Sequence, residues 1–166
     1  MTEDAEGAFW RFSKGLYGKP SVAPAVLGLQ DRLGADVNLL LYGCWAAMQG
    51  SALDDADIAK ADATIQLWRE QVVEPLRQVR NRLKRGVPPV AIEAGQGLRK
   101  RVLDSEIAGE ELAQGALAAL LPDTPAAGNA AAAARNHIER YLARLAKPLG
   151  PEDQAAVETL LKACFG

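Results

Sequence analysis

The clearest pattern in the chain is an apolar stripe at Ile65, Trp68, Val72, Leu76, Val79 and Leu83, spaced 3, 4, 4, 3 and 4 residues apart. That heptad-like spacing puts all six side chains on one face of a helix. A helix from about Asp62 to Arg85 would be roughly 35 Å long, enough to cross a small domain. Pro75 falls inside it, removes one backbone hydrogen bond and predicts a kink near Gln71. Asp54 is placed to cap a short helix through Ala61 that leads into it.

A second pattern lies upstream. Between Asp36, suited to an N-cap, and Gly50, suited to a C-cap, apolar residues cover nearly the whole helical circumference. A helix that is apolar all round is buried rather than amphipathic. It is the expected central helix, with Asn38, Tyr42 and Trp45 as its only polar handles, satisfied by local hydrogen bonds. Before it, Phe9, Phe12 and Leu16 predict a helix over residues 4–17. Val22, Val26, Leu29 and Leu33 predict another over 21–33, capped by Ser21 and stopped by Gly34. Connections this short turn each helix back on the last, which predicts a compact three-helix unit over residues 4–50.

After the break at Gly86-Val87-Pro88-Pro89, a second long helix is predicted from about Val90 to Leu121. With its predecessor it makes an antiparallel hairpin over 54–121. Gly95, Gly97, Gly109 and Gly115 interrupt it, at a cost of about 1 kcal/mol each relative to alanine in a helix interior. Either another helix approaches closely there, or the helix is broken near Gly109. Asn129 caps a sixth helix with Ala134, Ile138, Tyr141, Leu142 and Leu145 facing inward. Pro151 starts the last, with Val157, Leu160, Leu161 and Cys164 as its stripe. No strand pattern occurs. The expectation is one all-α domain over residues 1–166: about six to seven helices, an N-terminal three-helix unit packed on the hairpin, and two C-terminal helices over 129–165.

Composition agrees with this. The chain is 49% hydrophobic but only 5% aromatic, so its core must be built of Leu, Val and Ala, which favours helices. The net charge of −2 gives no global pull toward nucleic acid or membranes, but it is unevenly distributed. Residues 69–101 carry nine basic and three acidic side chains, while both flanking regions carry nine acidic and five basic. Cys44 and Cys164 each lie on an apolar face and are expected as two buried thiols. Neither a signal peptide nor a run of ~18 uncharged apolar residues is evident, and the expected location is cytoplasmic.

The stretches Phe9-Trp10-Arg11-Phe12-Ser13, Leu29-Gln30-Asp31-Arg32, Asp36-Val37-Asn38-Leu39-Leu40-Leu41 and Val72-Val73-Glu74-Pro75-Leu76-Arg77 resemble a family of small helical proteins from proteobacteria. That family is known only as a domain of unknown function. The likeness covers roughly the first 100 residues. It implies a bacterial cytoplasmic protein and brings with it no activity and no site.

Several groupings carry chemistry in other proteins. Asp54, Asp55, Asp57 and Asp62 form the densest acidic cluster, but a single cluster at a helix start serves capping. The basic block Arg77, Arg80, Arg82, Lys84, Arg85, Arg99, Lys100 and Arg101 would contact phosphates or complement a helix C-terminus. His137 is the only histidine and has no cysteine beside it. Two distant cysteines do not make a structural zinc site, and Gly95-Gln96-Gly97 lacks the strand and third glycine of a dinucleotide motif. Trp10 and Arg11 lie on the side of the first helix away from Phe9 and Phe12. There they would serve as a binding hot spot, or Arg11 would pair with Asp31 or Asp36. Glu70 and Glu74, one turn apart, point to an interhelical ion-pair network with Arg69, Arg77 and Arg11, or to a pair of catalytic carboxylates.

The expected function is a non-enzymatic interaction protein. It would bind a protein partner or a second copy of itself through the hairpin face that holds Trp68, Arg77 and Arg80, because the Ile65–Leu83 seam is longer than one small domain covers. The alternative is a small-molecule-binding protein or enzyme with a polar cavity between the N-terminal unit and the hairpin, lined from among Arg11, Asp31, Asp36, Glu70 and Glu74. A third reading is RNA contact through the 77–101 block. No cofactor, metal or membrane partner is expected.

Overall fold

The computed structural model describes residues 2–166, with side chains from Gly7 onward; Met1, the first residue of the expected domain, lies outside the described residues. The elements are α1 (Thr2–Tyr17), α2 (Val22–Leu33), α3 (Val37–Met48), α4 (Asp55–Trp68), a π-helical turn (Arg69–Val73), α5 (Glu74–Arg85), α6 (Gln96–Ala118), α7 (Ala130–Arg144) and α8 (Pro151–Phe165). Because α4, the π turn and α5 run on without a break, these make seven helices. No strand occurs among the described residues, only two isolated bridges, Ser51 with Pro125 and Val87 with Val90. The fold is all-α.

The apolar helix α3 is the pillar of the molecule, with every residue from Asn38 to Ala47 buried. Asp36 caps it as expected, its carboxylate accepting from the Asn38 N–H at 2.8 Å. Gln49 closes it, and Gly50 follows in the left-handed region at φ 76°. Phe9 of α1 stacks on Trp45, centroids 5.0 Å apart, and meets Tyr42 at 5.9 Å. This aromatic group ties α1 to α3.

The first three helices nevertheless do not stand apart as a unit. Each has its most extensive contact with a later helix: α1 with α6, α2 with α8, and α3 with α7. The reason is local. α7 brings Ala133, Ala134 and Ile138 against α3, and Gly43 lets it come close: a Cβ there would lie 3.2 Å from His137 Cβ. On the other side, Arg32 of α2 reaches Asp153 of α8 at 2.6 Å. The N-terminal unit is thus interleaved with the C-terminal helices.

The expected kink takes the form of the π turn. Pro75 has no N–H, and the Glu74 N–H bonds back five residues to the Arg69 carbonyl. Inserting a residue in this way shifts the seam. Val73, not Val72, takes the buried position five residues after Trp68. Downstream, Leu76 and Leu83 are half-buried and Val79 is 43% exposed.

α6 starts at Gln96 rather than Val90, since Pro88 and Pro89 cannot donate and residues 86–95 form a turn. It is continuous through Gly109, because another helix approaches there. The Trp68 indole N–H donates to the Gly109 carbonyl at 2.9 Å, and a Cβ on Gly109 would lie 3.3 Å from Val73 Cγ2. Gly109→Ala is therefore expected to lower stability by about 1 kcal/mol, overpacking outweighing the gain in helix propensity. Gly97→Ala, which meets nothing within 4 Å, should instead add about 0.5 kcal/mol. Urea denaturation of the two variants side by side checks the contrast.

α5 and the first half of α6 form an arm. The extensive contacts of α5 are with α6 and the π turn, and no apolar side chain between residues 74 and 105 is buried. Val87, Val90, Ile92 and Leu98, around its tip, are each more than 40% exposed. The arm, residues 74–107, carries eight basic and four acidic side chains, +4, and the rest of the chain sums to −6.

Candidate functional site

Where the arm joins the body, the α2–α3 junction, the π turn and α6 enclose a cavity of about 340 Å³. α2 ends at Gly34 (φ 73°), and the chain turns so that Asp31, Asp36 and Asn38 all border the space. The opposite wall is Ile65, Trp68, Arg69, Val73, Glu74 and Arg77, and α6 adds Glu110 and Ala113.

Two ion-pair networks build it. In the first, Arg69 Nη1 donates to Asp36 at 2.8 Å and lies 3.5 Å from Asp62, which Arg144 approaches from α7 at 3.7 Å. The Asp36 N–H donates to the Tyr141 hydroxyl at 2.7 Å. One residue thus caps α3 and fastens it to the π turn and α7. In the second, Glu106, 6% exposed, accepts from Arg77 Nε at 3.1 Å and from Arg80 Nε at 2.5 Å. Glu110 accepts from Arg77 Nη2 at 3.0 Å and from the Asn38 amide. The Asn38 carbonyl in turn accepts from Gln114, 3.0 Å away and buried. Burial pushes the Glu110 carboxyl above its ordinary value, against the pull of the Asn38 and Arg77 hydrogen bonds.

Of the residues singled out from sequence, Asp31, Asp36, Trp68, Glu74 and Arg77 meet at this cavity. Arg80 stands behind its wall on Glu106. Trp10, Arg11 and Glu70 do not take part. Trp10 is half-buried under the Lys14 ammonium, 5.8 Å from its ring centre, and Arg11 is exposed. The Asp36 carboxylate expected for Arg11 is held by Arg69. Glu70 is turned outward and accepts from Gln66 at 3.1 Å, so Glu70 and Glu74 form no carboxylate pair. The interhelical network exists, but its carboxylates come from Glu106, Glu110, Asp36 and Asp62. Glu106 and Glu110 are one helical turn apart, and Arg77 and Arg80 are three residues apart. Matching those two spacings across the hairpin would have found them.

The remaining groups are committed to structure. Asp54 and Asp57 cap each other reciprocally at the start of α4, and Asp55 pairs with Arg140 at 2.8 Å. His137 is 3% exposed. Its Nε2 accepts from the Leu53 N–H and its Nδ1–H donates to the Gly43 carbonyl, both at 2.9 Å. It cannot act as a base without giving up the Leu53 bond. Cys44 is buried and Cys164 half-buried, both free thiols. They meet across α3 and α8: their mutual hydrogen bond and burial hold Cys44 protonated, while the same contact and Lys19 lower Cys164. No group of three or more His, Cys, Asp or Glu side chains among the described residues is placed to hold a metal ion. No described helix is long and apolar enough to cross a membrane.

A family model described as a protein of unknown function (DUF2390) matches residues 8–117, which hold both arm and cavity wall. No curated protein and no solved structure matches the chain.

Proposed function

The chain belongs to that family of unknown function, and on this premise we propose that it is an interaction protein whose α5–α6 arm docks an acidic protein partner. The observation that carries the reading is the arm itself. Its two helices leave their apolar seam half covered, with Val79, Val87, Val90, Ile92 and Leu98 exposed among the basic side chains. Contiguous apolar surface rimmed by charge is a common form of protein-binding site.

The +4 charge, carried outside the ion pairs of Glu106 and Glu110 by Arg82, Lys84, Arg85, Arg99, Lys100 and Arg101, speaks for an acidic surface on the other side and against arm-on-arm pairing of two copies. A protein suits this face better than single-stranded RNA, since no aromatic side chain lies between residues 69 and 105 to stack on a base.

A photo-cross-linking residue at Val90, in the host cell, is expected to trap a discrete acidic protein. Arg99→Glu together with Lys100→Glu should abolish the product, and raised salt should weaken it. A product unchanged by the charge reversal, or one removed by nuclease, overturns the proposal.

A further inference from the structure

The cavity carries a charge that the protein leaves unanswered. Arg69 and Arg144 balance Asp36 and Asp62, and Arg77 and Arg80 balance Glu106 and Glu110, so four guanidiniums meet four carboxylates. Two carboxylates on the cavity wall remain, the exposed Asp31 and the half-buried Glu74. Neither is within ion-pair distance of a cation among the described residues. The lining as a whole holds four carboxylates and two guanidiniums, a charge of −2.

From this geometry we infer that the cavity binds a small organic cation of the diamine class, its ammonium groups taken by Asp31 and Glu74. An ammonium supplies several N–H donors, and each free carboxylate accepts them in a charge-assisted bond. Trp68, half-buried on the same wall, offers an aromatic ring to a cation, and Val37, Ile65, Val73 and Ala113 offer apolar surface to a methylene chain. The volume, about 340 Å³, lies at the small end of ligand sites. A negatively charged ligand would meet the residual −2 with the guanidiniums already engaged. A bare divalent cation would find two carboxylates where such ions take six or more oxygens. The π turn that shapes this wall is a feature often found where helices carry a function. This inference is independent of the arm reading, since neither carboxylate belongs to the exposed tip.

Calorimetric titration of the full chain with 1,4-diaminobutane at constant ionic strength tests it. Saturable binding is expected, with Asp31→Asn and Glu74→Gln each weakening affinity about tenfold. The thermal midpoints of both variants should stay near that of the wild type, as neither carboxylate holds a structural partner. Arg99→Glu with Lys100→Glu, on the arm, should bind the amine as the wild type does. Titrations with inorganic phosphate and with glutamate should give no competing heat. Absence of saturation at millimolar amine overturns the inference, as does equal affinity in the Asp31→Asn/Glu74→Gln double variant. Displacement of the amine by phosphate or glutamate does so too.

Discussion

His137→Ala is expected to lower the unfolding free energy by about 4 kcal/mol, a large share of the roughly 5–15 kcal/mol typical of a domain. Truncation orphans the buried Leu53 N–H, at about 1–3 kcal/mol, and removes the second hydrogen bond of the Gly43 carbonyl, which keeps its place in the α3 ladder. Removal of a buried ring between α3, α7 and the loop at Leu53 adds a cavity term.

The same bonds predict a pH response. A backbone N–H on Nε2 admits only the neutral ring, with its proton on Nδ1. Burial lowers the His137 pKa, and Arg140 adds to this, against the opposing influence of the Gly43 carbonyl and Asp57. A histidine lowered on folding stabilises the native state above its unfolded value, about 6.5, and loses that contribution as pH falls below it. Denaturant titrations at pH 7.5 and 5.5 should show the wild type less stable at the lower pH. His137→Ala should lack that part of the slope. Identical slopes would mean that His137 does not remain neutral in the folded protein.

Glu106→Ala is expected to cost about 3 kcal/mol. The Glu106 side chain is 8% exposed and, among the described residues, is the one carboxylate shared by Arg77 and Arg80. Without it two guanidiniums remain partly buried and under-paired, the situation that makes a broken interior ion pair expensive. Their own side-chain exposures of 29% and 21% let water in, so the loss falls at the lower end of the usual range. Glu106→Gln keeps the shape and one acceptor and should lose about half as much. A double-mutant cycle with Arg80→Ala isolates the coupling. A loss below about 1 kcal/mol for Glu106→Ala would show that packing alone holds α5 to α6.

Both variants probe residues whose sequence neighbourhood gives little warning. His137 sits in an alanine-rich helix with no partner of its own type, and Glu106 in a helix whose stripe the glycines obscure. What made them matter is what lies opposite: a loop N–H and an α3 carbonyl for one, two arginines from α5 for the other. The Arg69–Asp36 pair has the same character. Asp36 is legible as a cap, whereas its second role depends on the π turn that aims Arg69 at it.

The sequence by itself determined the helices and most of what caps and breaks them. Apolar periodicity, Asp36, Asp54, Asn129 and Pro151 act within a few residues, and short-range hydrogen bonding and burial of one face suffice to specify them. It also determined that the basic charge is concentrated on one hairpin. The tertiary structure alone decided how the helices interleave, which carboxylate each arginine takes, and that Asp31 and Glu74 are left over beside one cavity. Those outcomes turn on the close approaches at Gly43 and Gly109 and on the single residue inserted before Pro75. A shift of one position there rotates every later side chain on the helix, and no local pattern records the partner it will then face.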